Sequence, residues 1–221
     1  MGVLRKKQQD YLPALNYDVL TPLYDWVIRW TLRETTIKSH LVELTRVQGG
    51  YGVLDLGCGT ATLSLLIKKM HPGSEVIGLD GDPRILAIAR AKAARAGVEI
   101  KLDQGMSFEL PYPDGLFDRV VSSLFFHHLT SENKRRTTRE IFRVLRPGGE
   151  LHLADFGPPH NAPTRMLASV MKLGHGAGRM ADNLEGRLPE IFGEAGFVEA
   201  RATTHYSTVY GSLTLYQARK P

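Results

Sequence analysis

Between Tyr51 and Phe156 the chain alternates short, nearly continuous apolar runs with longer stretches whose apolar residues recur every three or four positions. YGVLDL (51–56), EVIGLD (75–80), VEIKLD (98–103), FDRVVSSLFF (117–126) and GELHLADF (149–156) have strand length and suit strands buried on both faces. The stretches between them, TATLSLLIKKM (60–70), PRILAIARAKAARAG (83–97) and SENKRRTTREIFRVL (131–145), carry the helical period. Pro83 opens the second helix, Gly97 closes it, and Thr130 or Ser131 caps the third. Strands separated by helices pair in parallel through right-handed crossovers.

The flanks differ from this core. From Leu12 to Val47 apolar residues fall at helical intervals, with Pro13 and Pro22 placed to start or interrupt helices, which predicts a helical N-terminal cap over residues 1–49. The core then runs over 50–156. After Phe156 the composition turns to GPPHNAPTRM and LASVMKLGHGAGRM, an insertion over 157–186 expected to fold as a substrate lid. Met166, Leu167, Met171 and Leu173 would wall it, and Gly174, Gly176 and Gly178 would hinge it. A helix, LPEIFGEAG (188–196), precedes two strands, FVEARATTHY and YGSLTLYQAR, whose three-residue link, Ser207 to Val209, makes them antiparallel. The expected fold is one α/β domain over 1–221: a doubly wound, seven-stranded, mostly parallel sheet with an antiparallel last strand.

Composition narrows the function classes. The hydrophobic fraction of 43% is ordinary for a globular chain. No apolar run approaches the roughly 20 residues of a bilayer span, and no signal segment stands at the N-terminus, so a cytoplasmic protein without a membrane span is expected. The single cysteine, Cys58, excludes an internal disulfide and suits a reducing compartment. The net charge of +5 could suit nucleic acid, but the basic residues sit at helical spacing among apolar ones, as in RAKAARAG, the pattern of solvated helix faces.

The candidate chemistry lies in GCGTAT, directly after the first strand. A phosphate-gripping loop ending in Gly-Lys-Ser/Thr is excluded, since the first lysine after the turn is Lys68. A dinucleotide turn wants a third small residue where Thr62 stands, and Asp55 would oppose a pyrophosphate at the helix N-terminus. A ligand with a positive centre and no phosphate meets neither objection, and S-adenosylmethionine is such a ligand. Asp80, ending the second strand, can accept hydrogen bonds from ribose hydroxyls, and Gly81 leaves room for the sugar.

VLDLGCGTATL, VIGLDGDPRIL, LPYPDGLFDRVVSSLFFHHL and IFRVLRPGGELHLADF, in that order, resemble the landmarks of class I S-adenosylmethionine-dependent methyltransferases. Within that class they are similar to the subgroup holding the ubiquinone and menaquinone biosynthesis enzymes. The resemblance implies a Rossmann-like methyltransferase fold and roles by matching position. Gly57, Gly59 and Thr60 would line the methionine part of the cofactor, Asp80 would hold the ribose, and Asp55 would order the loop and favour the cationic end. Gly105-Met106-Ser107 stands where the family has Gly-Asp-Ala, so adenine would keep stacking and backbone contacts but lose a charged acceptor. Ser123 would lie near the methionine end, and Tyr24 would close over the cofactor.

The implied reaction is in-line transfer of a methyl group to carbon, nitrogen or oxygen of a small molecule, with a quinone precursor or another aromatic among the candidates. A non-catalytic S-adenosylmethionine-binding module is the alternative. The Asn/Asp-Pro-Pro-aromatic motif of base-amine methylation is missing after the fourth strand, where the chain reads Ser122-Ser123-Leu124-Phe125, so no nucleic-acid partner is expected. Candidate bases are His127, His128, His160, His175, His205 and Tyr206. His160 is preferred for its place after the fifth strand, with His128 second. No metal is expected, and the protein would be a monomer or homodimer.

Overall fold

The computed structural model describes residues 34–171, 177–209 and 211–221. Helix α1 (Glu34–Thr45) precedes β1 (Gly52–Leu56), α2 (Thr62–Met70), β2 (Glu75–Asp80), α3 (Pro83–Ala96), β3 (Lys101–Gln104) and β4 (Phe117–Ser123). After a short 3₁₀ turn at Phe126–His128 come α4 (Ser131–Val144), β5 (Leu145–Phe156), α5 (Ala162–Met171), α6 (Ala177–Leu184), α7 (Leu188–Glu194), β6 (Val198–Thr208) and β7 (Gly211–Arg219). The seven strands form one sheet in the order β3-β2-β1-β4-β5-β7-β6. The first five pair in parallel, and β7 runs antiparallel to both neighbours, β5 and β6.

Local chemistry sets the helix ends. The Asp82 side chain accepts from the Arg84 N–H at 2.8 Å, Pro83 fills the first turn of α3, and Gly97 leaves it in the left-handed region at φ 62°. Thr130, not Ser131, caps α4, accepting from the Asn133 N–H at 3.2 Å. One face of the sheet packs Leu54, Leu56, Val120, Leu151 and Leu153 against Ile141 and Val144 of α4 and Leu188, Ile191 and Phe192 of α7. The other packs Val53, Val121, Ala154 and Leu215 against α1 and α2.

Several boundaries depart from the sequence expectation. Residues Ile37, Leu41 and Val42 of α1 are buried in that second cluster, so the described end of the N-terminal cap packs into the core. Strand β5 begins at Leu145, running through the Pro147-Gly148-Gly149 segment that reads as a turn, because Leu145 pairs with Phe117 across a register shift. Strand β4 stops at Ser123 instead of 126: Leu124 turns to φ 56° and the chain leaves the sheet. The insertion contributes to the core as well. Thr164, Asp182, Asn183 and Leu184 are buried, and the wholly buried Lys134 of α4 reaches the Arg179 carbonyl and the Asp182 carboxylate, fastening α6 to the sheet face. The expected hinge and wall positions 173, 174 and 176, with His175, lie outside the described residues.

Candidate functional site

The chain order along the sheet reverses between β1 and β4, and their carboxyl ends open the crevice in which ligands of such sheets bind. The loop from β1 to α2 forms one wall. Its Gly57 and Gly59 both take left-handed conformations, φ 69° and 53°. Their surroundings differ, which separates their roles. A Cβ on Gly57 would stand 2.4 Å from the ring of Phe125, so this glycine admits the aromatic that follows β4. A Cβ on Gly59 would meet nothing within 4 Å, so this backbone faces open space.

Asp80 ties the loop to β2. Its Oδ2 accepts from the Gly59 N–H at 2.9 Å and its Oδ1 from the Asp82 N–H at 3.0 Å. Each carboxylate oxygen has a second lone pair, so the ribose hydroxyls expected here can still be accepted. Burial raises the Asp80 carboxyl above its ordinary range, against the lowering pull of these N–H bonds. Gly81 beside it is half-buried, its carbonyl accepting from the Gln104 side chain at 3.4 Å. Across the loop Lys92 of α3, which sequence spacing did not bring near, donates to Thr62 at 2.5 Å and lies 3.5 Å from the Thr60 hydroxyl.

Asp55 does not stand at the mouth of this crevice. It lies beneath the loop, 1% exposed, and accepts a 2.5 Å hydrogen bond from Ser64 of α2. Burial pushes its carboxyl up to about 6, with the Ser64 bond pulling the other way. Its action on a ligand is therefore through the loop and through its field, while the objection to phosphate at direct contact loses force.

The adenine side is set by the segment after β3. Met106 is half-buried, its carbonyl accepting from the Glu109 N–H at 3.2 Å. Ser107 is 5% exposed and its hydroxyl pairs with that of Thr137 at 2.8 Å, which leaves backbone contacts as its expected part in holding adenine. Ser123 ends β4 half-buried, level with Ala154 of β5, at the crevice. Tyr24 lies outside the described residues.

The histidines divide. His160 has both ring nitrogens engaged, Nδ1 with Ser212 at 2.8 Å and Nε2 with Ser207 at 3.0 Å. These serines sit on β7 and β6, two and three strands beyond β4, or about 10 and 14 Å away at ordinary strand spacing. Both nitrogens of the preferred candidate are therefore engaged at that edge of the sheet. His205 likewise bonds Thr214 at 3.0 Å, and Tyr206 turns to His40 of α1 at 2.5 Å. His128 is exposed, its ring centroid 4.0 Å from that of His127.

His127 meets a residue that sequence reasoning passed over. Asp155, wholly buried near the end of β5, accepts from the Phe125 and Phe126 N–H groups at 3.0 and 2.7 Å and pairs with His127 Nδ1 at 2.8 Å. Phe156 N–H and the Asn183 amide complete its shell at 2.7 and 3.3 Å. Burial pushes this carboxyl up, but the His127 charge and hydrogen bond, with the backbone donors, hold it below the ordinary range. The only signal in the sequence was an acid inside an otherwise apolar strand run, LHLADF.

A family profile described as a methyltransferase domain matches residues 53–149, from β1 into the first residues of β5. Residues 53–149 thus carry a methyltransferase domain. A curated demethylmenaquinone methyltransferase of Thermus thermophilus is 37% identical over 148 residues, covering 66% of this chain and 63% of that protein. The match thus spans under two thirds of the relative's length. Among solved structures, the YcgJ protein of Bacillus subtilis superposes with a TM-score of 0.68 at 18% identity, covering 84% of this chain and 98% of that one. The [4+2]-cyclase SpnF gives 0.64 at 22% identity, covering 84% and 80%. These two share the fold, and since one is a cyclase, the fold by itself does not fix the reaction.

The residues present fit S-adenosylmethionine. A backbone open at Gly59, a carboxylate at the end of β2 with acceptor capacity to spare, and a buried acid under the loop suit a ligand with ribose hydroxyls and cationic groups. Among the described residues no helix is long and apolar enough to cross a membrane.

Proposed function

We propose that the protein transfers a methyl group from S-adenosylmethionine to a small-molecule acceptor of the quinone-precursor class, such as reduced demethylmenaquinone. The observation that carries this reading is the glycine loop, open at Gly59 and braced to Asp80, in a chain 37% identical over 148 residues to a demethylmenaquinone methyltransferase. When bound, S-adenosylmethionine supplies an electrophilic methyl on a sulfonium that leaves as a neutral thioether. The chain's own task is then to bind, align and exclude water.

Gly57 and Gly59 let the backbone approach the methionine end, Asp80 takes the ribose, and Met106 flanks the adenine. Phe125, packed on Gly57, gives the reacting end an apolar wall. The acceptor is a small molecule and not nucleic acid, in keeping with Ser122-Ser123-Leu124-Phe125 after β4. The buried, unpaired Cys58 accords with the cytoplasm, and a monomer or homodimer suffices for the site.

A second reading, binding without transfer, draws on Met106, which stands where the resemblance expects an acid. Incubation with methyl-labelled S-adenosylmethionine and reduced demethylmenaquinone of short side chain, followed by extraction, separates the two. Label in the quinone is expected; tight cofactor binding with no label in this quinone or in a metabolite extract would leave the binding module.

A further inference from the structure

We propose that His127 is the general base of the reaction and that Asp155 is its positioning residue. The inference rests on the methyl-transfer reading above and selects its proton acceptor from the candidate bases by the buried acid that orients it.

The argument begins with the turn after β4. Leu124 at φ 56° costs backbone energy that a β-strand continuation would avoid. The turn is held by Asp155, whose Oδ2 collects the N–H groups of Phe125 and Phe126, and by the ring of Phe125 filling the space over Gly57. The turn places His127 beside the carboxyl end of β4, one strand from the glycine loop on β1. His160, by contrast, is tied to β6 and β7.

The pairing fixes the tautomer. A carboxylate only accepts, so the 2.8 Å contact with Asp155 Oδ1 requires the proton on His127 Nδ1 and leaves a lone pair on Nε2. Nε2 has no hydrogen-bond partner among the described residues, and the side chain is 14% exposed. The ring is further fixed by the edge of Phe156, with centroids 4.9 Å apart. A buried carboxylate behind one nitrogen and a free lone pair on the other is the arrangement that makes imidazole an oriented base.

The proton balance is simple. As the acceptor forms its new bond to the methyl carbon, the carbon–sulfur bonding pair stays on sulfur and the acceptor's proton passes to His127 Nε2. The imidazolium is neutralised by Asp155, and the exposed His128 ring lies 4.0 Å from it, centroid to centroid. The charged and titratable groups around the pair are Asp155 on β5, His128 on the same turn, Lys134 on α4, and Arg179 and Asp182 on α6. Lys134 and Asp182 offset one another in a buried pair, and partial burial with the nearby His127 and Arg179 charges holds His128 down to about 4, so His128 is neutral at pH 7.

The test compares wild type, His127→Gln and Asp155→Asn by calorimetry with S-adenosylhomocysteine, by single-turnover methyl transfer to reduced short-chain demethylmenaquinone across pH, and by NMR titration of the imidazoles. His127→Gln should bind S-adenosylhomocysteine within about twofold of wild type while the transfer rate falls on the order of a hundredfold or more, and the rise of rate with pH should vanish. Asp155→Asn should move that rise, and the His127 NMR titration, to lower pH, a change that loss of stability alone would not produce. A His127→Gln rate within threefold of wild type with the same pH profile overturns the assignment. So does loss of S-adenosylhomocysteine binding in parallel with activity, which would make the residue structural. Wild type that binds S-adenosylhomocysteine but methylates neither this quinone nor any extract component overturns the methyl-transfer reading itself, and the base with it.

Discussion

Asp55→Asn should make the free protein more stable at neutral pH and a poorer binder of its cofactor. The native carboxyl is held up near 6 from an ordinary 3.8 by burial, so between those values the folded state carries more protons than the unfolded one. Stability contributed by this group is then full below about pH 4 and falls as pH rises to about 6. At 1.36 kcal/mol per pH unit, the ionised Asp55 costs the fold about 3 kcal/mol above that window. Asparagine removes the charge and keeps an oxygen for the Ser64 hydroxyl, now 2.5 Å from Oδ2. Its buried N–H group without an acceptor takes back about 1 kcal/mol, which leaves a gain of about 2 kcal/mol at pH 7.5 and a slight loss at pH 4. Urea unfolding at the two pH values measures both. A variant no more stable than wild type at pH 7.5, or equally improved at both, would refute the reasoning. Calorimetry on the same samples should show weaker S-adenosylmethionine binding, because the loop loses the negative field beneath the cationic end.

Three further outcomes are expected. Asp80→Ala removes the charge-assisted acceptor at the ribose position and the partner of the Gly59 N–H, so affinity for S-adenosylhomocysteine should fall by about 2 kcal/mol, or roughly thirtyfold, in a calorimetric titration. Gly57→Ala places a Cβ 2.4 Å from the Phe125 ring at a positive φ; urea unfolding should show a loss of about 1 to 3 kcal/mol, with cofactor binding impaired as the turn shifts. His160→Ala breaks two hydrogen bonds to Ser207 and Ser212, on strands two and three places beyond β4, so stability should drop by about 1 to 2 kcal/mol while S-adenosylhomocysteine affinity holds within twofold.

The strands and helices of the core were legible because parallel strands buried on both faces read as continuous apolar runs, and because Pro83 and Gly97 punctuate α3 at its ends. The glycine loop and Asp80 were legible for the same reason: both sit at fixed offsets from strand ends. What failed were properties set by partners far along the chain. Strand β5 was cut short at Gly149 because nothing local says that Leu145 pairs with Phe117. Asp55 looked like a carboxylate at the loop mouth, and only Ser64 and the packing of α2 turn it inward. His160 looked well placed after β5 until the serines of β6 and β7, some fifty residues later, claimed both its nitrogens. Asp155 was invisible as a site residue because its partners, Phe125 to His127, lie on another strand's exit turn.

The most direct test of the site is isothermal titration of the protein with S-adenosylhomocysteine and, separately, with NAD. The open backbone at Gly59, Asp80 at the ribose position, and Thr62 where a dinucleotide turn wants a small residue predict single-site binding of S-adenosylhomocysteine and no heat from NAD. Binding of NAD with no response to S-adenosylhomocysteine would contradict the account.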